Sequence, residues 1–159
     1  MSKFPHLTIR RAGPPDAAAV RSLTRDAYAQ WISVIGREPL PMKADYEKAV
    51  REHEIDLLYA DDQLVALVEA FLAADHLYVE NIAVSPEHQG KGFGHHLLNH
   101  AETKARNAGL GELRLLTNQA FATNVRLYQS VGFRIDRTEP HFGGGTTVHM
   151  SKQIAGGES

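Results

Sequence analysis

The spacing of hydrophobic positions changes along this chain, and each change marks an element. Leu7 to Arg11 alternates as a short strand. Gly13-Pro14-Pro15-Asp16 ends it and opens a helix in which Val20, Leu23, Ala27 and Trp31 recur at three- and four-residue spacing. Pro39 and Pro41 break that pattern. A second, shorter helix is predicted from Ala44 to Glu52, with Tyr46, Ala49 and Val50 on one side. Ile55 to Ala60 and Gln63 to Ala73 read as the arms of a hairpin turned at Asp61-Asp62, and His76 to Val84 as a further strand stopped by Ser85-Pro86. The glycine-rich run Gln89 to Gly94 leads into a helix striped by Phe93, Leu97, Ala101 and Ala105, which Gly109 and Gly111 end. Leu113 to Thr117 is a strand, Thr123 to Ser130 a helix, and Phe133 to Thr138 and Thr146 to Gln153 are two last strands. The predicted order is β-α-α-β-β-β-α-β-α-β-β. Antiparallel strands followed by a β-α-β crossover imply a mixed sheet, so the expected class is α/β.

Composition narrows this picture. The chain has 159 residues, which suits one domain, here expected at 1–154, with the small polar residues 155–159 as a mobile tail. Hydrophobic residues are 43% and charged residues 23%, the balance of a globular protein rather than a disordered one. A formal net charge of -2 argues against wholesale attraction to nucleic acid or anionic membrane. There is no cysteine, which excludes a disulfide framework, a thiolate metal site and a cysteine nucleophile. The start lacks the apolar run of a signal peptide. The longest apolar stretch, Leu64 to Ala74, is interrupted by Glu69 and is far short of the ~20 residues a membrane helix needs. A soluble, cytoplasmic protein is the expectation. His96 and His100 are four apart on a helix, but no glutamate follows His96 and no third ligand is evident, so no metal is expected.

The chemistry concentrates in two segments. The first is Ile82-Ala83-Val84-Ser85-Pro86-Glu87-His88-Gln89-Gly90-Lys91-Gly92-Phe93-Gly94-His95, and the second is Asn124-Val125-Arg126-Leu127-Tyr128-Gln129-Ser130-Val131-Gly132-Phe133. The first resembles the cofactor signature of the GNAT superfamily of N-acetyltransferases, a strand, then Gln/Arg-x-x-Gly-x-Gly/Ala, then a helix, with Gln89, Gly92 and Gly94 at the defining positions. The second resembles that family's Asn-x-x-x-Tyr-x-x-x-Gly-Phe motif. The element order matches as well, so the resemblance covers nearly the whole chain. Physical chemistry is compatible with it. Glycines at 90, 92 and 94 leave room for backbone to approach a ligand. The helix that follows presents free N–H groups and a positive dipole end, which suit a pyrophosphate, and Lys91 stands ready to add a charge. The Walker phosphate loop fits worse, because Gly92 follows Gly90-Lys91; the dinucleotide loop would need glycine where His95 stands.

The resemblance implies a GNAT fold and the transfer of acetyl from acetyl-CoA, as co-substrate, to a primary amine by direct attack. The alternative is a catalytically silent acetyl-CoA-binding module. The cofactor is assigned to Ile82, Ala83, Val84, Gln89, Gly90, Lys91, Gly92, Phe93, Gly94, His95 and Asn124, the N–H groups of positions like Ile82 and Val84 being freed where the strand bulges and splays from its neighbour. Tyr128 is implied as the acid that protonates the departing thiolate, and half-buried packing with Val125 and Val131 is its structural alternative. Glu80, a carboxylate inside an apolar strand, is implied as general base; an ion pair with an arginine of a neighbouring strand is its alternative. Trp31, Glu38, Met42 and Tyr46 are expected to wall the acceptor pocket, with Phe142 and Gly143-Gly144-Gly145 opposite. Family members often pair as homodimers, and the acceptor's identity is left open.

Overall fold

The computed structural model describes residues 5–141 and 144–154. The chain runs through β1 (Leu7–Arg11), α1 (Ala17–Tyr28), α2 (Ile32–Ile35), α3 (Tyr46–Glu52), β2 (Glu54–Ala60), β3 (Gln63–Leu72), β4 (Leu77–Val84), α4 (Phe93–Asn107), β5 (Glu112–Asn118), α5 (Ala122–Ser130), β6 (Arg134–Pro140) and β7 (Thr146–Gln153). All seven strands form one sheet in the order β1-β2-β3-β4-β5-β7-β6. Every pairing is antiparallel except β4 with β5, so the sheet is mixed, as the pattern predicts. Phe142, Gly143 and residues 155–159 lie outside the described residues.

The sheet is covered on both faces. One core gathers Leu58, Val68, Leu77, Val79 and Ile82 of the sheet against Leu97, Leu98, Ala101 and Ala105 of α4, with Tyr128 and Phe133 beside them. The other gathers Ile55, Leu57, Leu67 and Ala83 against Val20, Leu23, Ala27, Trp31, Tyr46 and Phe121. A strand buried on both faces cannot alternate, which is why β3 reads as a nearly unbroken apolar run. The predicted α4 stripe is buried at all four positions.

One expected element divides. The first helix does not reach Trp31 as a continuous α-helix: α1 stops at Tyr28, a single 3-10 turn spans Ala29–Trp31, and α2 follows as one short turn. Ile32, Val34 and Ile35 are β-branched and poor at prolonging a helix, and Gly36 closes α2 in the left-handed conformation, φ 77°. The turn lets Trp31 stack on Phe121, ring centres 5.0 Å apart, instead of following the α1 stripe.

Candidate active site

The site is made by two irregularities in β4. Along β3, Glu69 faces Asn81 but the next residue, Ala70, faces Val79, so Glu80 is an extra residue, a β-bulge. On its other side β4 pairs with β5 at Leu77↔Leu113 and Tyr78↔Arg114 only. Beyond Tyr78 the two strands splay apart and the sheet is split by a wedge-shaped gap. The Ser85 N–H donates to the Val65 carbonyl on β3 at 2.9 Å. Backbone groups alternate sides along a strand, so those of Ala83 also face β3 while those of Ile82 and Val84 face the gap. Side chains answer two of the freed carbonyls: the Gln89 amide donates to Val84 at 3.1 Å, and the Tyr28 hydroxyl reaches Ile82 at 3.3 Å.

Two cavities open from this gap. One, of about 520 Å³, runs from Ile82 and Val84 past Gln89, Gly90, Gly92, Phe93, Gly94 and His95 to Asn124. Gly90 and Gly92 hold φ of 80° and 89°, a region that L side chains avoid, and a methyl at either would project into open space. Gly92 caps α4, so the unpaired N–H groups of the first helical turn face the cavity mouth. Gly94 serves a different purpose from its neighbours: a Cβ there would lie 2.8 Å from Leu127 Cδ2, so its bareness lets α4 and α5 touch. Of the residues assigned to the cofactor, Ala83 and Lys91 do not line the cavity; Ala83 packs in the core on the α1 side and Lys91 is exposed.

The second cavity, of about 280 Å³, lies on the other side of the bulge. Glu69, Glu80 and Asn81 line it beside Tyr46, Phe121 and Pro39, with Leu40, Pro41, Leu116 and His141 around them. Glu69 and Asn81 are buried, whereas Glu80 is exposed. Of the expected acceptor wall, only Tyr46 among the described residues stands here. Met42 is buried in the core, Trp31 lines the other cavity, and Glu38 is held by Arg25 at 2.8 Å. Asn81 is fixed by the Tyr28 hydroxyl at 2.9 Å, and its own amide reaches Thr24 and Tyr46.

Tyr28 and Tyr128 line both cavities. Tyr128 is buried with its ring against Phe133, yet no group among the described residues hydrogen-bonds its hydroxyl. Burial pushes this phenol above its ordinary value, so it is protonated at neutral pH. Among the described residues no arginine pairs with Glu80. Its carboxyl is pushed above the ordinary carboxylate range by the surrounding protein first and by Glu69 second, with His53 opposing.

The acetyltransferase (GNAT) family profile matches residues 19–133. The chain belongs to this family. Over 76 residues it is 36% identical to streptothricin acetyltransferase of Streptomyces lavendulae, a stretch that is 46% of this chain and 40% of that one. Over 76 residues it is 34% identical to the ribosomal protein bS18-alanine N-acetyltransferase of Salmonella typhimurium, covering 48% of this chain and 51% of the relative. The matched stretches thus span about half or less of each relative. The fold extends further: PaiA N-acetyltransferase from Thermoplasma acidophilum, solved in complex with coenzyme A, superposes with a TM-score of 0.80 over 94% of this chain and 99% of that one, at 19% identity.

In this GNAT chain, sequence reasoning missed Tyr28, Asn81, Phe121 and Glu69 as cavity residues. For Glu69 the signal was present, because it interrupts an apolar strand as Glu80 does. Tyr28 and Phe121 carried none: each looks like an ordinary core aromatic until the gap is seen beside it.

Proposed function

We propose that this GNAT protein is an N-acetyltransferase that moves acetyl from acetyl-CoA to a primary amine by direct attack. The observation that supports this most is the splay of β4 from β5, with a glycine-lined cavity on one side, a two-carboxylate cavity on the other, and Tyr128 between them. The first cavity fits the proposed co-substrate. Its open-sided glycines leave space beside the α4 N-terminus for a pyrophosphate, and the gap-facing groups of Ile82 and Val84 offer strand-like partners to an amide-bearing arm. When bound, acetyl-CoA supplies a thioester whose acyl carbon the amine attacks: a C–N bond forms and the C–S bond breaks.

The chain's own residues then divide the work. A primary amine has a pKa near ~10.4 and enters mostly as its cation, so a base must take one proton before attack. Glu80, its affinity for protons raised and its side chain lining the acceptor cavity, takes it. A backbone N–H of the gap-facing edge polarises the acyl oxygen as charge grows there. The attacking nitrogen sheds its second proton to solvent as the adduct collapses, and the Tyr128 hydroxyl donates its proton to the departing sulfur and recovers one from solvent afterwards. With no cysteine in the chain, no acyl-cysteine forms on the way. Among the described residues no helix is long and apolar enough to cross a membrane, and a cytoplasmic site fits an enzyme fed by acetyl-CoA.

The test is thiol release from acetyl-CoA with butylamine, cadaverine, lysine amide and an alanyl peptide, with acetyl-CoA affinity measured beside it. The expected result is release matched by N-acetylated product. Tight acetyl-CoA binding without turnover on any amine, even when the panel is widened, would make the chain a binding module instead.

A further inference from the structure

Resting on the transfer reaction just described, we propose that Glu69 and His53 form the outlet through which the acceptor's proton leaves the cavity. The need for one is physical. Glu80 is exposed, and an acceptor seated in the cavity covers the side of it that the cavity reaches, so a path on the other side keeps its proton exchange open during turnover.

Glu69 lies on β3, its side chain only 5% exposed, with one oxygen 2.6 Å from His53 Nδ1. The other oxygen has no partner among the described residues, is not sealed off from solvent, and belongs to a residue that lines the cavity. Glu80 stands one residue beyond Glu69's cross-strand partner Asn81, within reach of a second glutamate side chain. On the far side, His53 does not line the cavity. It sits between α3 and β2, its ring stacked on Phe71 at 5.0 Å, and its side chain is 30% exposed. Cavity, carboxylate pair, imidazole and solvent therefore follow one another across the sheet.

The proton balance is simple. Two protons leave the nitrogen between cation and amide. Glu80 takes the first before attack, and it passes to the Glu69–His53 pair and departs to water from the partly exposed ring. The second, shed as the adduct collapses, makes good through solvent the one Tyr128 gives to sulfur, so each group regains its starting charge. The other titratable groups facing the two carboxylates are phenols: Tyr28 from α1, Tyr46 from α3, Tyr78 from β4 and Tyr128 from α5. Burial pushes each of them above the ordinary phenol range, Tyr78 to about 12, so none competes for the proton at neutral pH. Arg37 and His141 also line the cavity, in contact with each other at 3.2 Å. Glu69 is thus a catalytic residue and His53 a positioning and relay residue behind it.

The experiment compares three variants of the full chain, with acetyl-CoA and whichever amine of the panel the wild type turns over fastest. In His53→Gln the side chain still donates to Glu69 but cannot titrate. If the ring were only a structural prop this variant would be active; as an outlet it should lose about tenfold to a hundredfold in kcat, with the acceptor KM nearly unchanged. His53→Ala should fall similarly and be restored by added imidazole, which can enter at the half-open surface. Glu69→Gln should lower kcat and also move the acidic limb of kcat/KM to lower pH, because removing a like charge lets Glu80 ionise more easily. Wild-type kcat in His53→Gln, or no imidazole rescue of His53→Ala, overturns the outlet and leaves the transfer reaction standing. A wild-type chain that turns over no amine overturns both. If Glu69→Gln does not fold, the two His53 variants still decide.

Discussion

Tyr128→Phe removes one oxygen from a buried ring and little else, since that hydroxyl has no partner among the described residues. The packing against Phe133 survives, so folding and acetyl-CoA affinity should be close to wild type. The loss should fall on kcat, by roughly a hundredfold or more, because the proposed donation occurs as sulfur departs and not on binding. Single-turnover kinetics separates this from slow product release, and an unchanged chemical step would return Tyr128 to the core. Glu80→Gln tests the other half of the chemistry. Glu80 is active as a carboxylate and its affinity for protons is raised, so activity should fall as pH drops through a range above the ordinary ~4.3 of a glutamate. The glutamine variant should lose that limb and depend on high pH, where free amine is abundant. A weakly basic aniline acceptor separates this from the acceptor's own titration, and a variant that keeps both rate and limb would show that the base lies elsewhere. The place of Tyr128 beside the gap was legible because its motif names it, whereas Glu69 showed only as a carboxylate interrupting an apolar strand, and nothing in the sequence says that a gap will reach it.

The contact between α4 and α5 depends on Gly94. An alanine there places its methyl 2.8 Å from Leu127 Cδ2, and either the leucine turns or the helices part. Gly94→Ala should cost about 1–3 kcal/mol, read as a lower urea midpoint, and should also disturb the cavity that both helices line. A shift no larger than a few tenths of a kcal/mol would mean that Leu127 simply rotates away. At this scale the sequence was a good guide, since helices buried on one face and strands between turn residues announce their period. It was a poor guide to breaks in period. The stop of α1 at Tyr28 is invisible to a stripe that continues to Trp31. The bulge did leave a trace: Leu77 and Val79 share a core with Ile82, not with residue 81, so the apolar phase slips by one across Glu80 and Asn81. Read that way, the slip marks the place where the site is built. The splay left no comparable mark, because it depends on where β5 goes and not on β4.

Across the whole molecule, one buried carboxylate ties the outer strands to a helix. Asp56 on β2, 4% exposed, accepts from Arg11 of β1 and from His100 and Lys104 of α4, each at 2.8 Å. Burial alone would raise its pKa, but the three donors together hold it well below the usual carboxylate range. A depressed folded-state pKa gives stability that is complete above the unfolded value near ~3.9 and is lost as pH falls from there toward the folded value. Urea midpoints should therefore drop through the acid range below about pH 4. In Asp56→Asn that part of the drop should vanish and stability at neutral pH fall by about 3–5 kcal/mol, since the cations lose their shared partner. An acid profile identical to wild type would remove Asp56 from this role. The two register pairs joining β4 to β5 have a consequence of their own. Ile82 and Ala83 are neighbours and both buried, yet one amide hydrogen faces the wedge and the other a strand. In deuterated water the amides of Ile82 and Val84 should exchange quickly and that of Ala83 slowly, a comb of fast and slow teeth along a single central strand. Acetyl-CoA seated in the wedge should even the comb out, and a strand protected uniformly without it would mean that the wedge closes in solution.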